Sequence, residues 1–321
     1  MKKNILLLVC CVIAWPIFAQ RLLSWTPEFP TDASNITFTV DAAKGNQGLY
    51  NYEGGNSQNV YVHVGVLTNL STGPSDWKYV KFVYGSTDPL AKATPLGSNK
   101  YSYTINNIRS FFGVPAAETI RTINVIFRDA SGNLKAVNSD GSDMYIPVYG
   151  ASQFAVRLNL PPFEPRYVPW LEPITATVGS TLTIAGVSSA NAALDVSLNG
   201  TSVGTIANNN SITVTPTLTT SCEQKVILTG NNGTVISKDS FSFFINPVTN
   251  IAALPAGAQE GINYAADNKS ATLVLFAPGK TNVTVIGDFS GWQTLCANQM
   301  NKTPDGNYFW IKISNLNPGT E

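Results

Sequence analysis

The chain contains one histidine, His63, in an aromatic neighbourhood: Tyr61, Trp77, Lys78, Tyr79 and Tyr84 all lie between positions 61 and 84. Sugar rings present apolar C–H faces that stack on Trp and Tyr, and their edge hydroxyls need Asn, Asp, Lys or Gln nearby. Val60-Tyr61-Val62-His63-Val64 alternates at period two, so Tyr61 and His63 share one face of a strand and the valines take the other. With the valines in a core, Tyr61 and His63 point outward. Trp77 follows the polar run Thr72-Gly73-Pro74-Ser75-Asp76. Composition alone fits equally a Trp77 that packs over the edge of a sandwich.

Other chemistries find little support. A lone histidine excludes a His-rich zinc site and any catalysis that needs several imidazoles. His63 lies on an alternating strand with no nucleophile elbow beside it. No Gly-rich phosphate loop follows a strand and opens a helix. Paired carboxylates for glycoside hydrolysis cannot be recognised from spacing, because they come from distant segments. We therefore assign no catalytic residue in this chain. Asp129-Ala-Ser131-Gly-Asn133 and Asn138-Ser-Asp140-Gly-Ser-Asp143 place oxygen ligands at alternate positions, as calcium loops do. Both lack the closing bidentate acid, which favours ordinary turns over calcium. Asn35, Asn69 and Asn282 head Asn-x-Ser/Thr triplets, glycan acceptors in some secretory routes and frequent by chance in an Asn/Thr-rich chain.

The elements that position these residues are strands. The 321 residues are 44% hydrophobic and 12% charged, with 20 basic residues against 20 acidic ones. Disorder needs the opposite balance, and a nucleic-acid binder needs a basic surplus. Residues 1–19 read as a secretory signal peptide: Lys2 and Lys3 precede an apolar run, and Ala19 is a small residue at the cleavage point. Export to the medium or the outer cell surface follows. A lipoprotein anchored through Cys10 or Cys11 is the rival reading. The signal's apolar run is too short to span a bilayer, and no later stretch is long and apolar enough to do so. The mature chain keeps Cys222 and Cys296. A bond between them would have to join two modules, so the sequence favours unpaired thiols.

The expected fold is all-β, a tandem of β-sandwich, immunoglobulin-like modules of which the last is incomplete. Residues 20–150 form the first, with strands at Ile36–Val40, Val60–Val64, Tyr101–Ile105, Ile123–Phe127 and Met144–Val148. Asn106–Phe112 is the one candidate for a short helix. Residues 151–173 are proline-rich and predict a stiff linker. Residues 174–247 form the second module, with strands at Ser180–Ile184, Leu194–Leu198, Ser211–Val214, Lys225–Leu228 and Phe241–Phe243. Its Asn199-Gly200 is a hairpin turn, and Asn208–Asn210 and Asn231–Gly233 are further turns. Residues 248–321 begin a third module, with strands at Ala271–Leu275, Val283–Ile286 and Tyr308–Ile313.

Two stretches carry a family resemblance. Val285-Ile286-Gly287-Asp288-Phe289-Ser290-Gly291-Trp292 resembles the Gly-Asp-Phe-Asn-x-Trp signature of carbohydrate-binding module family 48, with Ser290 in place of the usual Asn. Leu275-Phe276-Ala277-Pro278 and Leu316–Glu321 are similar to the same module, the isoamylase N-terminal domain. Asn59–His63, Asp76-Trp77-Lys78 and Asp41–Leu49 resemble family 26-like starch-binding modules of secreted Bacteroidetes-type amylases. The resemblance implies the non-catalytic N-terminal part of an α-amylase family glycoside hydrolase (family 13). Its partner would be an α-glucan polysaccharide such as starch, not nucleic acid, and its catalytic barrel would follow Glu321. It implies that Tyr61, His63 and Trp77 contact sugar, with Lys78 a hydroxyl partner. In the third module Trp292 maps to a sugar-contacting position, although many enzyme-borne copies of that module are purely structural. A cell-surface starch-binding protein and a plain adhesin are the alternatives.

Overall fold

The computed structural model describes residues 21–266 and 268–316. The signal-peptide reading, the cysteines within it and the last residues of the isoamylase-like segment fall outside that range. The chain is all-β, and among the described residues the α-helix Ile108–Phe112 (α1) is the one helix longer than a 3-10 turn. Asn107 caps it, accepting the Ser110 N–H at 3.0 Å. No helix among the described residues is long and apolar enough to cross a membrane. The chain divides into two compact units, Met1–Gln153 with Pro162–Glu172 and Phe154–Pro161 with Pro173–Glu321.

The first unit packs two antiparallel sheets. Its strands are β1 (Leu23–Thr26), β2 (Ile36–Asp41), β3 (Tyr61–Thr68), β4 (Thr94–Gly97), β5 (Lys100–Ile105), β6 (Ile120–Arg128), β7 (Lys135–Ala136) and β8 (Met144–Pro147). One sheet has the order β1-β2-β5-β4; the other places β6 between β3 and both β7 and β8. Phe38, Val40, Tyr101 and Ile105 face Val62, Val64, Val125 and Phe127 across the core, all fully buried. The rings of Phe38 and Phe127 meet edge to face at 5.9 Å. Along β6, Ile123, Val125 and Phe127 fill this core, and Asn124, Ile126 and Arg128 on the opposite face are buried as well. A strand covered on both sides usually reads as a continuous apolar run; β6 instead carries Asn124 and Arg128 on its second buried face.

The proline-rich stretch is not a free linker. Val156–Leu160 (β9) joins the second unit, and Phe163–Glu164 (β10) pairs with Trp170–Leu171 (β11) as a hairpin of the first. The prolines at 161, 162, 165, 169 and 173 fall between the paired residues, so none removes a ladder hydrogen bond.

In the second unit, β12 (Ile184–Leu198), β13 (Thr201–Val214), β14 (Cys222–Asn231) and β15 (Ile236–Ile245) form one sheet in the order β13-β12-β14-β15, with β9 along β12. The short strands at Leu194–Leu198 and Ser211–Val214 are parts of two long ones. Asn208–Asn210, read as a turn, lies inside β13, where Asn209 pairs with Ala192. Register shifts between Val187 and Leu194 absorb the irregularity there, which turn-forming asparagines in sequence do not distinguish from a chain reversal. Thr181, expected in a strand, makes only an isolated bridge to Thr217. Asn199-Gly200 does reverse the chain, with both residues at positive φ. Gly186 allows close packing: a Cβ there would come within 2.4 Å of the Leu228 side chain, which would have to shift.

The third module holds β16 (Gly261–Tyr264), β17 (Ser270–Phe276), β18 (Asn301–Lys302) and β19 (Tyr308–Ser314) in the order β16-β17-β19-β18. Met300, Phe309 and Ile311 are its buried centre, with Leu273, Val283, Val285 and Ile313 packed around them. Val283–Ile286 was expected as a strand; only Thr284 bridges, to Gln299. Its alternation comes from Val283 and Val285 packing inward, and the segment then enters the tight turn at Gly287. Ile262, Tyr264 and Leu275 sit on the sheet face of Leu273 and Phe309 and are exposed. The expected free thiols are a disulfide: Cys222 and Cys296 are bonded, with Cα atoms 5.2 Å apart. The two modules belong to one unit, and the Glu223 carboxylate accepts the Cys296 N–H at 3.0 Å. The module boundary read from sequence therefore did not separate the cysteines in space.

Candidate functional site

The site grows from the outer face of the β3-β6-β8 sheet. Cross-strand pairing sets Tyr61 opposite Arg128, His63 opposite Ile126, and Gly65 opposite Asn124, which in turn faces Tyr145. Tyr61 and His63 do occupy the face away from the valines. That face is not open, because residues 77–86 fold back over it. Backbone bonds from Lys78 to Val66 at 2.8 Å and from Lys81 to Val64 at 3.0 Å hold the cover in place.

Gly65 makes room for the cover. A Cβ there would meet Trp77 Cε3 and Val80 Cγ2 at 3.1 Å. The Trp77 indole lies in this space, stacked on His63 with ring centroids 5.6 Å apart and planes 22° apart. Tyr84 sets its ring edge-on to His63 at 5.1 Å and donates its hydroxyl to the Gly132 carbonyl at 2.8 Å. The Trp77 N–H donates to the Tyr145 hydroxyl, which donates to the Pro74 carbonyl at 3.1 Å. Burial, first among its causes, pushes the Tyr145 phenol up to about 12, so it stays protonated and able to donate.

Arg128 forms the floor at one end. It is fully buried, and its guanidinium lies 5.5 Å from the ring centroids of both Tyr61 and Tyr84. It donates to the carbonyls of Ser86 at 2.5 Å and Asp129 at 2.8 Å. Burial and then the Arg128 charge push the His63 imidazole below its ordinary value, against a hydrogen bond to the Phe82 backbone. The ring is therefore neutral at pH 7, the form that stacks without a desolvated charge.

The structure brings His63 and Trp77 together, and it places Tyr61 at the edge of the group. Tyr61 is 8% exposed and packs with the core, so it supports Arg128 instead of offering an outer ring face. This corrects the outward placement: register set its direction, but the covering segment is distant in sequence. The Lys78 ammonium pairs with Asp76 at 2.8 Å. The hydrogen bond from Lys78, ahead of one from Thr72, holds the Asp76 carboxyl below its usual range. Trp292 is on the second unit, 66% exposed at the tip of the Gly287–Trp292 turn, its indole N–H donating to Asp288 Oδ1 at 2.6 Å. Arg128 and Tyr145 were missed. Their signal was alternation: each faces away from core neighbours, as Tyr61 and His63 do.

The two calcium-like loops spend their oxygens on their own turns. Asp129 accepts the Ser131 hydroxyl at 2.6 Å and the Leu134 N–H at 3.1 Å. Asp140 accepts both the Ser142 N–H and hydroxyl, and pairs with Arg166 at 2.8 Å. Among the described residues no group of three or more His, Cys, Asp or Glu side chains is placed to hold a metal ion.

No protein family matches the chain, and no curated protein is similar to it in sequence. Among solved structures, the fibronectin(III)-like modules of CbhA from Clostridium thermocellum are 12% identical, with 70% of this chain and 93% of that chain covered and a TM-score of 0.23. The central fibronectin-III array of RIM-binding protein is 12% identical, covering 87% of this chain and 84% of that one, with a TM-score of 0.25. Dimeric latent PorU from Porphyromonas gingivalis is also 12% identical; 92% of this chain spans 31% of it at a TM-score of 0.19. Overlap at this level assigns neither a family nor an activity.

Proposed function

We propose that the first module is an α-glucan-binding module, and that the chain is the non-catalytic, glycan-binding part of an exported starch-acting enzyme of the α-amylase family. The observation that carries the reading is the fixed group of His63, Trp77 and Tyr84. It combines a stacked and an edge-on ring pair with the Tyr84 hydroxyl at one rim. An uncharged, hydroxyl-rich polymer suits a neutral imidazole and aromatic faces, and a chain with balanced charge has no electrostatic preference for a polyanion. The resemblance of residues 285–292 to an enzyme-borne module supports the link to a glycoside hydrolase. Binding of this kind is weak per site and acts by raising effective concentration at polymeric substrate.

Affinity electrophoresis of the full chain in gels containing amylopectin tests the reading. The unmodified chain should be retarded, and Trp77→Ala should lose most of that retardation while keeping its melting temperature within a few degrees. Absence of retardation, or retardation unchanged by Trp77→Ala, would overturn it.

A further inference from the structure

The hairpin of β10 and β11 builds a second aromatic surface beside the first. Glu164 is buried at its base, accepting the Ser139 N–H at 3.1 Å. The Tyr145 N–H donates to the Pro165 carbonyl at 2.7 Å, tying the hairpin to β8. Pro165 and Pro169 bracket the tip, Arg166-Tyr167-Val168, and limit its backbone freedom. Arg166 pairs with Glu164 at 2.7 Å and Asp140 at 2.8 Å, donates to the Ser139 hydroxyl at 3.1 Å, and lies 5.1 Å from the ring centroid of Trp170.

One face of the Trp170 indole thus rests on a guanidinium that is itself held by two carboxylates. Trp170 nevertheless remains 57% exposed, and Tyr167 51%. Tyr167 meets Tyr145 edge-on at 5.7 Å, and Tyr145 accepts the Trp77 N–H. Contacts therefore run without a break from Trp77 through Tyr145 to Tyr167. Arg166 carries no unpaired charge that would ask for an anion. Exposed rings that are already ordered lose little conformational entropy when a ligand stacks on them.

We propose that Trp170 and Tyr167 form a second stacking subsite, which extends the His63–Trp77 platform so that one α-glucan chain lies on both. This rests on the reading of the platform as an α-glucan site.

Calorimetric titration of the full chain with an α-1,4-linked glucose trimer and heptamer separates the two. Both oligomers should bind the unmodified chain, the heptamer more tightly. The double variant Tyr167→Ala/Trp170→Ala should lose roughly five- to tenfold in heptamer affinity, the scale of one or two aromatic contacts, and keep trimer affinity. Trp170→Phe, which keeps a ring, should recover part of the loss and guards against a folding artefact. Trp77→Ala should weaken both oligomers. If the double variant binds both like the unmodified chain while Trp77→Ala weakens them, the subsite is overturned and the platform stands. If Trp77→Ala changes neither, or nothing binds, the platform reading fails and the extension with it.

Discussion

Trp77 and Trp292 are the same residue type in opposite situations. Trp77 is half-buried, stacked on an imidazole, bonded through its N–H to a tyrosine and seated over a glycine. Trp292 is mostly exposed at a turn, with one side-chain hydrogen bond and a φ of 58° that an indole residue rarely adopts. The first is fixed by a sheet that is buried on both faces; the second depends on its own turn. A ring that must present one face to a polymer gains from the first kind of support, because its orientation is set before the ligand arrives.

The sharpest way to break this contrast is to weaken the sheet that carries Trp77. Phe127→Ala empties a fully buried position shared by both sheets and should cost the first module about 3–5 kcal/mol in urea denaturation. Arg128→Met keeps much of the volume but removes the guanidinium donor from the Ser86 carbonyl and leaves the Asp129 carbonyl only the Gly132 N–H. About 2–3 kcal/mol should be lost, together with glycan binding, since Tyr84 loses its support. Gly65→Ala pushes a methyl against the indole. It should cost about 1–2 kcal/mol and reduce retardation in amylopectin gels more than stability alone predicts.

The pH dependence is smaller and has a definite sign. The folded imidazole of His63 takes a proton only below its ordinary value of 6.5, so at mildly acidic pH the unfolded chain binds the proton first. Stability is full above about pH 6.5 and falls as pH drops below it. His63 is the one histidine, so His63→Gln should flatten the denaturation midpoint between pH 7.5 and 5.5. The smallest effect belongs to Trp292→Ala, which should shift stability by no more than about 0.5 kcal/mol. A larger loss would mean that the turn depends on the indole, and the contrast with Trp77 would weaken.

Most of the first module was legible because its strands alternate. The valines of β3 and Ile123, Val125 and Phe127 of β6 announce one core, and the helix falls within the expected Asn106–Phe112. What the sequence could not give was cover. Tyr61 and His63 share a face, but whether that face meets water depends on where residues 77–86 return, and no local pattern encodes that. The same limit explains the proline-rich stretch. Its composition predicted a stiff linker; the structure shows a hairpin whose partners, Asp140 and Tyr145, are set by tertiary structure. Val283–Ile286 shows the converse: alternation there reports packing on Phe309 and its neighbours without a strand ladder.

The bond between Cys222 and Cys296 alters how the chain transmits force. A pull applied through the polypeptide enters at Cys222, crosses the two sulfurs and leaves at Cys296. The intervening chain, a separation of 74 in sequence, stays slack. At roughly 3.4 Å per residue, about 250 Å of contour is withheld from extension, and β14, β15, β16 and β17 lie outside the load path. If the first module grips an insoluble granule as proposed, anything attached beyond the bond is held on a short leash, and chemical reduction lengthens that leash without touching the proposed site.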